Sequence, residues 1–268
     1  MRRILVILKK EWDEIIRNRT IVVTTVFMPF LFIIIPFALT VGLPAAQGSQ
    51  FYDDPNLTRV AKILQERSPE MANMDKASLF QVYIFRQFLF FLLLIPTMSS
   101  MAIATYSIIG EKQNRSLEPL LATPITVTEL LLGKSLAAAG PAILVSWIAA
   151  GLYSAGILWL GGRRVFLQVI NPMGLAIIFI IAPLVAVLGL SLGVVTSSRS
   201  NDPRSAQQIG VLVVLPIIGL IAGQASGIFF LTLPSVLVMA VGLGLIDATI
   251  LMIGIILFQR ETILTRWK

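Results

Sequence analysis

The sequence predicts an all-α integral membrane protein with six transmembrane helices, preceded by an amphipathic helix at the N-terminus. Three observations carry that prediction. Of the 268 residues, 56% are hydrophobic and only 13% charged, with a mean hydropathy of +0.87. A water-soluble domain carries about 25% charged residues. The charges are also clustered: segments 20–52, 87–110, 135–162 and 165–198 have none, and 205–259 has only Asp247. Finally, there is no Cys and no His. That excludes disulfides, thiolate nucleophiles, Ser-His hydrolases and HExxH metal sites.

The elements follow in order. In segment 1–19, Ile4, Leu8, Trp12 and Ile15 recur at helical spacing, with Leu5 and Ile16 beside them. Lys9, Lys10, Asp13, Glu14 and Arg17 occupy the remaining face. This is an amphipathic helix. Spacing alone favours an anchor on the lipid surface; a helix packed between the bundle and a partner is the sharper alternative. The apolar stretch beginning at Ile4 is too short for a signal-peptide core, and charges follow it at once. The first long apolar run therefore reads as a retained anchor. It is span one (20–43), expected to kink at Pro29 and Pro36.

The segment 44–85 is the long outer loop. Asp54-Pro55 has the form of an N-cap followed by Pro at the first helical position. Leu57, Val60, Ala61 and Leu64 then give an apolar stripe. Ser68-Pro69 repeats the start signal, so two short helices capping the outer surface are expected. Span two (86–109) follows. Tyr83, Phe85, Phe88, Phe90 and Phe91 at its outer end read as an interfacial aromatic belt.

The inner connection 110–134 holds more order than a simple linker requires. Glu111 and Arg115 are an i,i+4 pair. Leu117, Leu120 and Leu121 give one apolar face. Thr123-Pro124 stops the helix, because the residue before Pro avoids helical geometry. Thr126 and Glu129 have capping-box spacing. Gly133-Lys134-Ser135 looks like the end of a phosphate loop, but Thr128 stands where that motif needs Gly, so no nucleotide site is expected.

Spans three (135–160), four (172–196), five (208–230) and six (236–258) complete the membrane part, and 259–268 is the tail. Small residues recur every fourth position at Ala138, Ala142, Ser146, Ala150 and Ser154, and at Gly219, Gly223 and Gly227. Such rows let helices approach closely. Asp247 sits near the middle of span six. A lone carboxylate there costs about 2.5–3.5 kcal/mol on insertion scales, so it is expected to face protein or water. It is a candidate for a substrate or ion pathway; a protonated or hydrogen-bonded packing residue near Thr249 is the other reading.

With both termini inside, the inner segments carry fourteen of the 21 Lys and Arg. The positive-inside rule thus places both termini in the cytoplasm; Arg163 and Arg164 in the short outer turn dissent. No basic patch has the aromatic interleaving of a nucleic-acid site.

Glu111-Lys112-Gln113-Asn114-Arg115-Ser116-Leu117-Glu118-Pro119-Leu120-Leu121-Ala122-Thr123-Pro124, followed by Glu129-Leu130-Leu131-Leu132-Gly133-Lys134, closely resembles the signature between spans two and three of ABC-2 type permeases. These are the membrane subunits of ATP-binding-cassette exporters, and the likeness is greatest to their sodium-exporter or NatB-like branch. Lys9-Lys10-Glu11-Trp12 with Arg17-Asn18-Arg19, and Phe258-Gln259-Arg260-Glu261, resemble the family's two ends. Many members of that branch have a large outer domain where this chain has only 44–85.

The resemblance implies the membrane domain of a type V ABC exporter. Two six-span subunits, identical or different, would pair in the cell membrane, and two cytoplasmic ABC ATPase subunits would dock below. ATP and Mg would be bound by the ATPase and no cofactor by this chain. The family's coupling helix would carry Glu111, Arg115, Leu117, Glu118, Pro119, Leu120, Leu121, Thr123 and Pro124. The connecting helix would carry Leu8, Glu11, Trp12 and Ile15. Two other classes stay open on the residues alone: an ion-coupled secondary transporter using Asp247, and a non-transport membrane assembly protein. No catalytic pair is present for an intramembrane hydrolase.

Overall fold

The computed structural model describes residues 2–17, 19–67, 69–114, 127–200, 202–208, 211–225 and 231–257. Every regular element among them is helical. A bilayer offers the backbone no partners, so each spanning segment satisfies its own peptide groups as a helix.

Helix α1 (Arg2–Arg17) is followed by α2 (Arg19–Gln47). Pro29, Pro36 and Pro44 lie inside α2, which stays helical through all three. Beside Pro36, the Thr40 hydroxyl donates to the Pro36 and Phe37 carbonyls (2.9 and 3.1 Å).

The outer loop folds as half expected. Helix α3 (Pro55–Arg67) starts where Asp54-Pro55 predicts, and the Asp54 carboxylate accepts from the Asn56 amide at 2.8 Å. Ala61 and Leu64 turn its stripe onto the main core. The second start signal gives only a 3-10 turn, Pro69–Met71. The reason is burial: Met71 and Met74 are drawn into the core. The next helix, α4 (Lys76–Phe91), begins later with Asp75 as its N-cap. Asp75 accepts from the Ser78 hydroxyl (2.6 Å) and amide (3.2 Å).

A short break at Leu92 and Leu93 joins α4 to α5 (Leu94–Gln113). Together they form one apolar segment, Lys76–Gln113, far longer than the expected 86–109. Helix α5 is the centre of the bundle, packed most extensively on α8 (Ala182–Arg199) and next on α6 (Val127–Val169). Helix α6 breaks at Gly162, whose φ of +70° and ψ of −179° lie in a region essentially reserved for glycine. Arg163 and Arg164 are exposed just beyond the break.

Asn171 then caps α7 (Pro172–Ala176) through the Gly174 amide at 3.0 Å. A π-helical turn, Ile177–Ile181, leads into α8. The Trp147 indole donates to the Ile178 carbonyl in that turn at 3.1 Å. Short α9 (Pro203–Gln208), then α10 (Val211–Ala225) and α11 (Leu233–Leu257), close the described chain. Helix α11 packs against α8.

Among the described residues, five helices are long and apolar enough to cross a membrane: Pro29–Gln47, Lys76–Gln113, Gly133–Val169, Pro172–Ser197 and Leu233–Ile253. They overlap expected spans one, two, three, four and six. Expected span five contains the shorter apolar helix Val214–Gln224, and its residues 226–230 lie outside the described residues. Large apolar side chains on α2 and α11, such as Phe27, Phe30, Val238 and Leu245, face outward, as suits a hydrocarbon surround.

Two packing expectations change. Phe85 and Phe90 are fully buried rather than interfacial. Phe85 meets Phe37 at a tilt and Tyr153 edge-to-face, and the Tyr153 hydroxyl donates to the Phe85 carbonyl at 2.9 Å. A buried phenol needs such an acceptor, so the aromatic group holds α2, α4 and α6 together. A close helix approach also occurs outside the predicted small-residue rows. A Cβ at Gly189 would fall against the Thr97 carbonyl and 2.7 Å from Ser100 Oγ. One at Gly193 would lie 3.0 Å from Ala104 Cβ. These glycines let α5 and α8 meet. The predicted row on α6 is nevertheless an inner seam, with Ala138, Ala142, Ser146 and Ala150 buried. Gly219 faces open space.

Candidate functional site

The ends of α5 and α6 that flank the 115–126 connection carry a buried ionic knot. Glu111 falls in the last turn of α5 and Lys134 near the start of α6, at the two edges of the apolar runs. Antiparallel packing brings them face to face. Lys134 Nζ lies 2.9 Å from Glu111 Oε2 and donates to Ser107 Oγ at 2.8 Å. Ser107 and Glu111 are four residues apart on α5, so both reach the same ammonium. Lys10 of α1 donates to Glu111 Oε1 at 2.8 Å. Glu111 is 4% exposed, Lys134 7% and Lys10 41%. Lys10 also lies 3.3 Å from Glu14.

One carboxylate thus ties three helices together. Burying a lone charge costs several kcal/mol, and an oppositely charged partner with good geometry offsets it. Two ammonium groups on Glu111 supply that compensation at the root of the connection. Nearby, Lys112 Nζ donates to the Ser200 carbonyl at 3.4 Å, and Gln207 Nε2 donates to Thr105 Oγ1 at 3.3 Å. These bonds bring the ends of α8 and α9 into the same assembly.

The expected site residues fare as follows. Glu111 is the anchor, and its partners include Lys10 and Lys134. Arg115, Leu117, Glu118, Pro119, Leu120, Leu121, Thr123 and Pro124 lie outside the described residues. So do the side chains of Leu8 and Glu11, whose backbone belongs to α1. Ile15 packs against a cluster of Ile103, Ala104, Ala138, Ala139 and Leu190, so α1 rests on the bundle and is more than a lipid-surface helix. Trp12 and Ile16 stay exposed. Lys10 departs from its expected place on the solvated face because Glu111 draws it in.

Sequence reasoning missed Lys10, Lys134 and Ser107 as a group. The available signal was opposite charges closing the two ends of one inner loop. It is obscured because Gly133-Lys134-Ser135 draws attention as a phosphate-loop look-alike and as the end of the permease signature, neither of which pairs Lys134 with Glu111. In the structure that lysine is committed to Glu111 and Ser107.

Asp247 lies apart from the knot. It shares one face of α11 with Val236, Ala240, Leu243 and Leu251, all turned toward protein. It is 4% exposed, and neither carboxylate oxygen has a hydrogen-bond partner among the described residues. The Thr249 hydroxyl donates to the Leu245 carbonyl at 2.8 Å, so it does not serve Asp247. Among the described residues no group of three His, Cys, Asp or Glu could hold a metal ion.

At the opposite end of the bundle, the Arg86 guanidinium donates to the Gln168 carbonyl (3.0 and 2.8 Å). Gln168 Nε2 in turn donates to Glu70 at 2.7 Å. This chain fastens the Pro69–Met71 turn to α4 and α6.

The family model described as ABC-2 family transporter protein matches residues 5–236. The chain belongs to the ABC-2 transporter family. Among the curated proteins no relative matches. The match runs from α1 to the start of α11, so it includes the knot and stops before Asp247. An ABC-2 family protein is the membrane component of an ABC transporter, a multi-pass permease rather than a catalytic subunit, and it implies an ABC ATPase partner.

Proposed function

We propose that this chain is the permease half of an ABC exporter, of the type V architecture and NatB-like branch. It forms the translocation pathway and couples it to separate ATPase subunits. Six spans cross the plasma membrane, the fifth being 208–230, with both termini in the cytoplasm. Two permease subunits pair, as a homodimer or heterodimer, in contact with lipid. The substrate class is an ion, a drug or peptide, or a lipid-like molecule. ATP and Mg belong to the ATPase.

The observation that carries this reading is the Lys10–Glu111–Lys134 knot. A motion imposed on the 115–126 connection reaches α5 and α6 directly and α1 through Lys10. Glu111 and Lys134 are too buried to swing free, so they move α5 and α6 together, and the more exposed Lys10 links α1 to them. In this reading the coupling surface comprises Arg115, Leu117, Glu118, Pro119, Leu120, Leu121, Thr123 and Pro124 beside Glu111. Helix α1, with Leu8, Glu11, Trp12 and Ile15, is the connecting helix. Its exposed residues Lys9, Asp13, Glu14 and Arg17 form a charged face that offers the ATPase a second contact.

The test is purification of the tagged chain from its native membranes in mild detergent, with assay of ATP hydrolysis and co-purifying chains. A stoichiometric ATPase that is lost in Leu120→Arg, while membrane insertion is kept, is the expected result. A stable permease that brings down no ATPase, or Leu120→Arg and Glu118→Lys variants with undiminished transport, would overturn the assignment.

A further inference from the structure

We propose that Asp247 is a proton-binding site whose ionisation controls the seam between α11 and α8. The inference starts from an accounting of partners. The Asp247 carboxylate is 4% exposed, with both oxygens unpartnered among the described residues. It lies on the buried face of α11, one turn from Leu251, which packs with Leu190 of α8.

The Ser and Thr hydroxyls of the facing helix α8 are engaged within that helix. Ser191 donates to the Val187 carbonyl at 2.7 Å, Thr196 to Leu192 at 2.8 Å and Ser197 to Gly193 at 2.6 Å. Thr249 donates within α11. Nor does any neighbouring element offer a compensating charge. Helix α11 contacts chiefly α8, α7, the π-helical turn and α6, and Leu251 shares a cluster with α5 and α1. The charges of α5 are Glu111, held by Lys10 and Lys134, and Lys112, on the Ser200 carbonyl, while Lys9, Asp13, Glu14 and Arg17 of α1 are exposed. Helix α8 has only Arg199, at its far end; α7 and the π-helical turn have no charged residue. Helix α6 has Glu129 in its first turns, Lys134 held by Glu111 and Ser107, and Arg163 and Arg164 exposed beyond the Gly162 break. On α11 itself Asp247 is the sole charged residue.

An ionised carboxylate with no partner in an apolar seam is far less stable than its neutral acid. This conformation therefore holds the Asp247 side chain as COOH. A metal cation is a poor occupant, since hard cations take about six or more oxygen ligands and no acidic cluster exists among the described residues. A proton needs only the one carboxyl group. Loss of the proton to water leaves COO⁻, which the closed seam does not accommodate. The anion is stable only when α11 parts from α8 and water enters. Acid closes the seam and alkali opens it.

The occupied state is a property of this chain alone, so the test needs no ATPase. The full-length protein is placed in lipid nanodiscs and its infrared difference spectrum against Asp247→Asn is recorded across pH. Asn is the neutral isostere of the protonated acid, so this variant is expected to fold. In the same samples a single Cys at Ala240 reports opening of the seam; the chain has no native Cys, so the label is unique. The ratio of labelling rates, wild type over Asp247→Asn, cancels the thiol's own pH dependence.

The expected result has two parts. A protonated-carboxyl C=O band is absent in Asp247→Asn, moves in Asp247→Glu and disappears as pH rises. The labelling ratio rises severalfold over the same interval. A carboxyl that is ionised throughout, or protonated throughout with a flat labelling ratio, overturns the proposal. The proposal rests on the permease reading only for its place in a transport cycle. Absence of an ATPase partner would refute that reading while leaving the infrared result untouched.

Discussion

Replacing Glu111 by Gln removes the charge that two lysines share. Lys134 is 7% exposed and loses its carboxylate while keeping the Ser107 hydroxyl. Removing one member of a buried ion pair costs about 3–5 kcal/mol, because the other charge stays buried. Lys10 is 41% exposed and retains Glu14 at 3.3 Å, so its loss falls in the surface range of about 0–1 kcal/mol. Gln keeps one acceptor oxygen, which places the total near the lower bound, about 3 kcal/mol. At about 2–4 °C per kcal/mol for a chain of roughly this size, Tm falls on the order of 10 °C.

Lys134→Met leaves Glu111 with Lys10 and costs about 2 kcal/mol, the value of a charged hydrogen bond. Lys10→Ala costs less than about 1 kcal/mol. The double change Glu111→Leu with Lys134→Leu recovers most of the loss, since apolar replacement of a buried pair is often neutral. The assay is thermal unfolding of the four purified variants in one detergent, beside ATP-driven transport after reconstitution. Lys10→Ala is the informative transport variant: it keeps the fold and loosens α1. An unchanged Tm for Glu111→Gln, or a Leu/Leu double variant as unstable as the summed losses of Glu111→Gln and Lys134→Met, would refute the knot as the energetic link.

Two further predictions follow from the packing. Gly189→Ala places a methyl against the Thr97 carbonyl and costs about 1–3 kcal/mol by overpacking, whereas Gly193→Ala, meeting Ala104 Cβ at 3.0 Å, costs less; Tm in a common detergent ranks them. The Ser78 hydroxyl and amide bonds hold the Asp75 carboxyl below the usual carboxylate range, against the opposing effect of its partial burial. Its capping contribution is therefore present above the ordinary carboxylate pKa and lost as pH falls through its own lower value. Asp75→Ala should lower stability by about 1 kcal/mol at neutral pH, with the gap from wild type closing in acid; a gap that widens in acid reverses the sign argument.

Much of the fold was legible because the strongest signals are local. Asp54-Pro55 began α3 on time, since a cap needs only its own neighbouring amides. The start of α4 was missed by ten residues. Asp75 and Ser78 carry a cap signal of the same kind, but the charge-free run that marks the span begins only after Arg86. Phe85 and Phe90 are core residues because Phe37 and Tyr153, distant in sequence, close over them. The site was half legible: Glu111 stands out in the sequence, while its expected i,i+4 pairing with Arg115 lies outside the described residues. Lys10 and Lys134 reach Glu111 because packing of α1 and α6 delivers their ammonium groups to a place where a carboxylate is out of water.

The sequence by itself determined the class of this protein: an all-helical membrane chain with long charge-free spans and no Cys or His chemistry. The bilayer makes that inference local, because any long apolar segment inside it must be a helix. Only the tertiary structure decided which faces meet. A transmembrane helix is apolar all round, so its pattern cannot distinguish lipid from a neighbouring helix. The Gly189–Thr97 approach, the Lys10–Glu111–Lys134 knot and the inward turn of Asp247 therefore became visible only once the helices were packed.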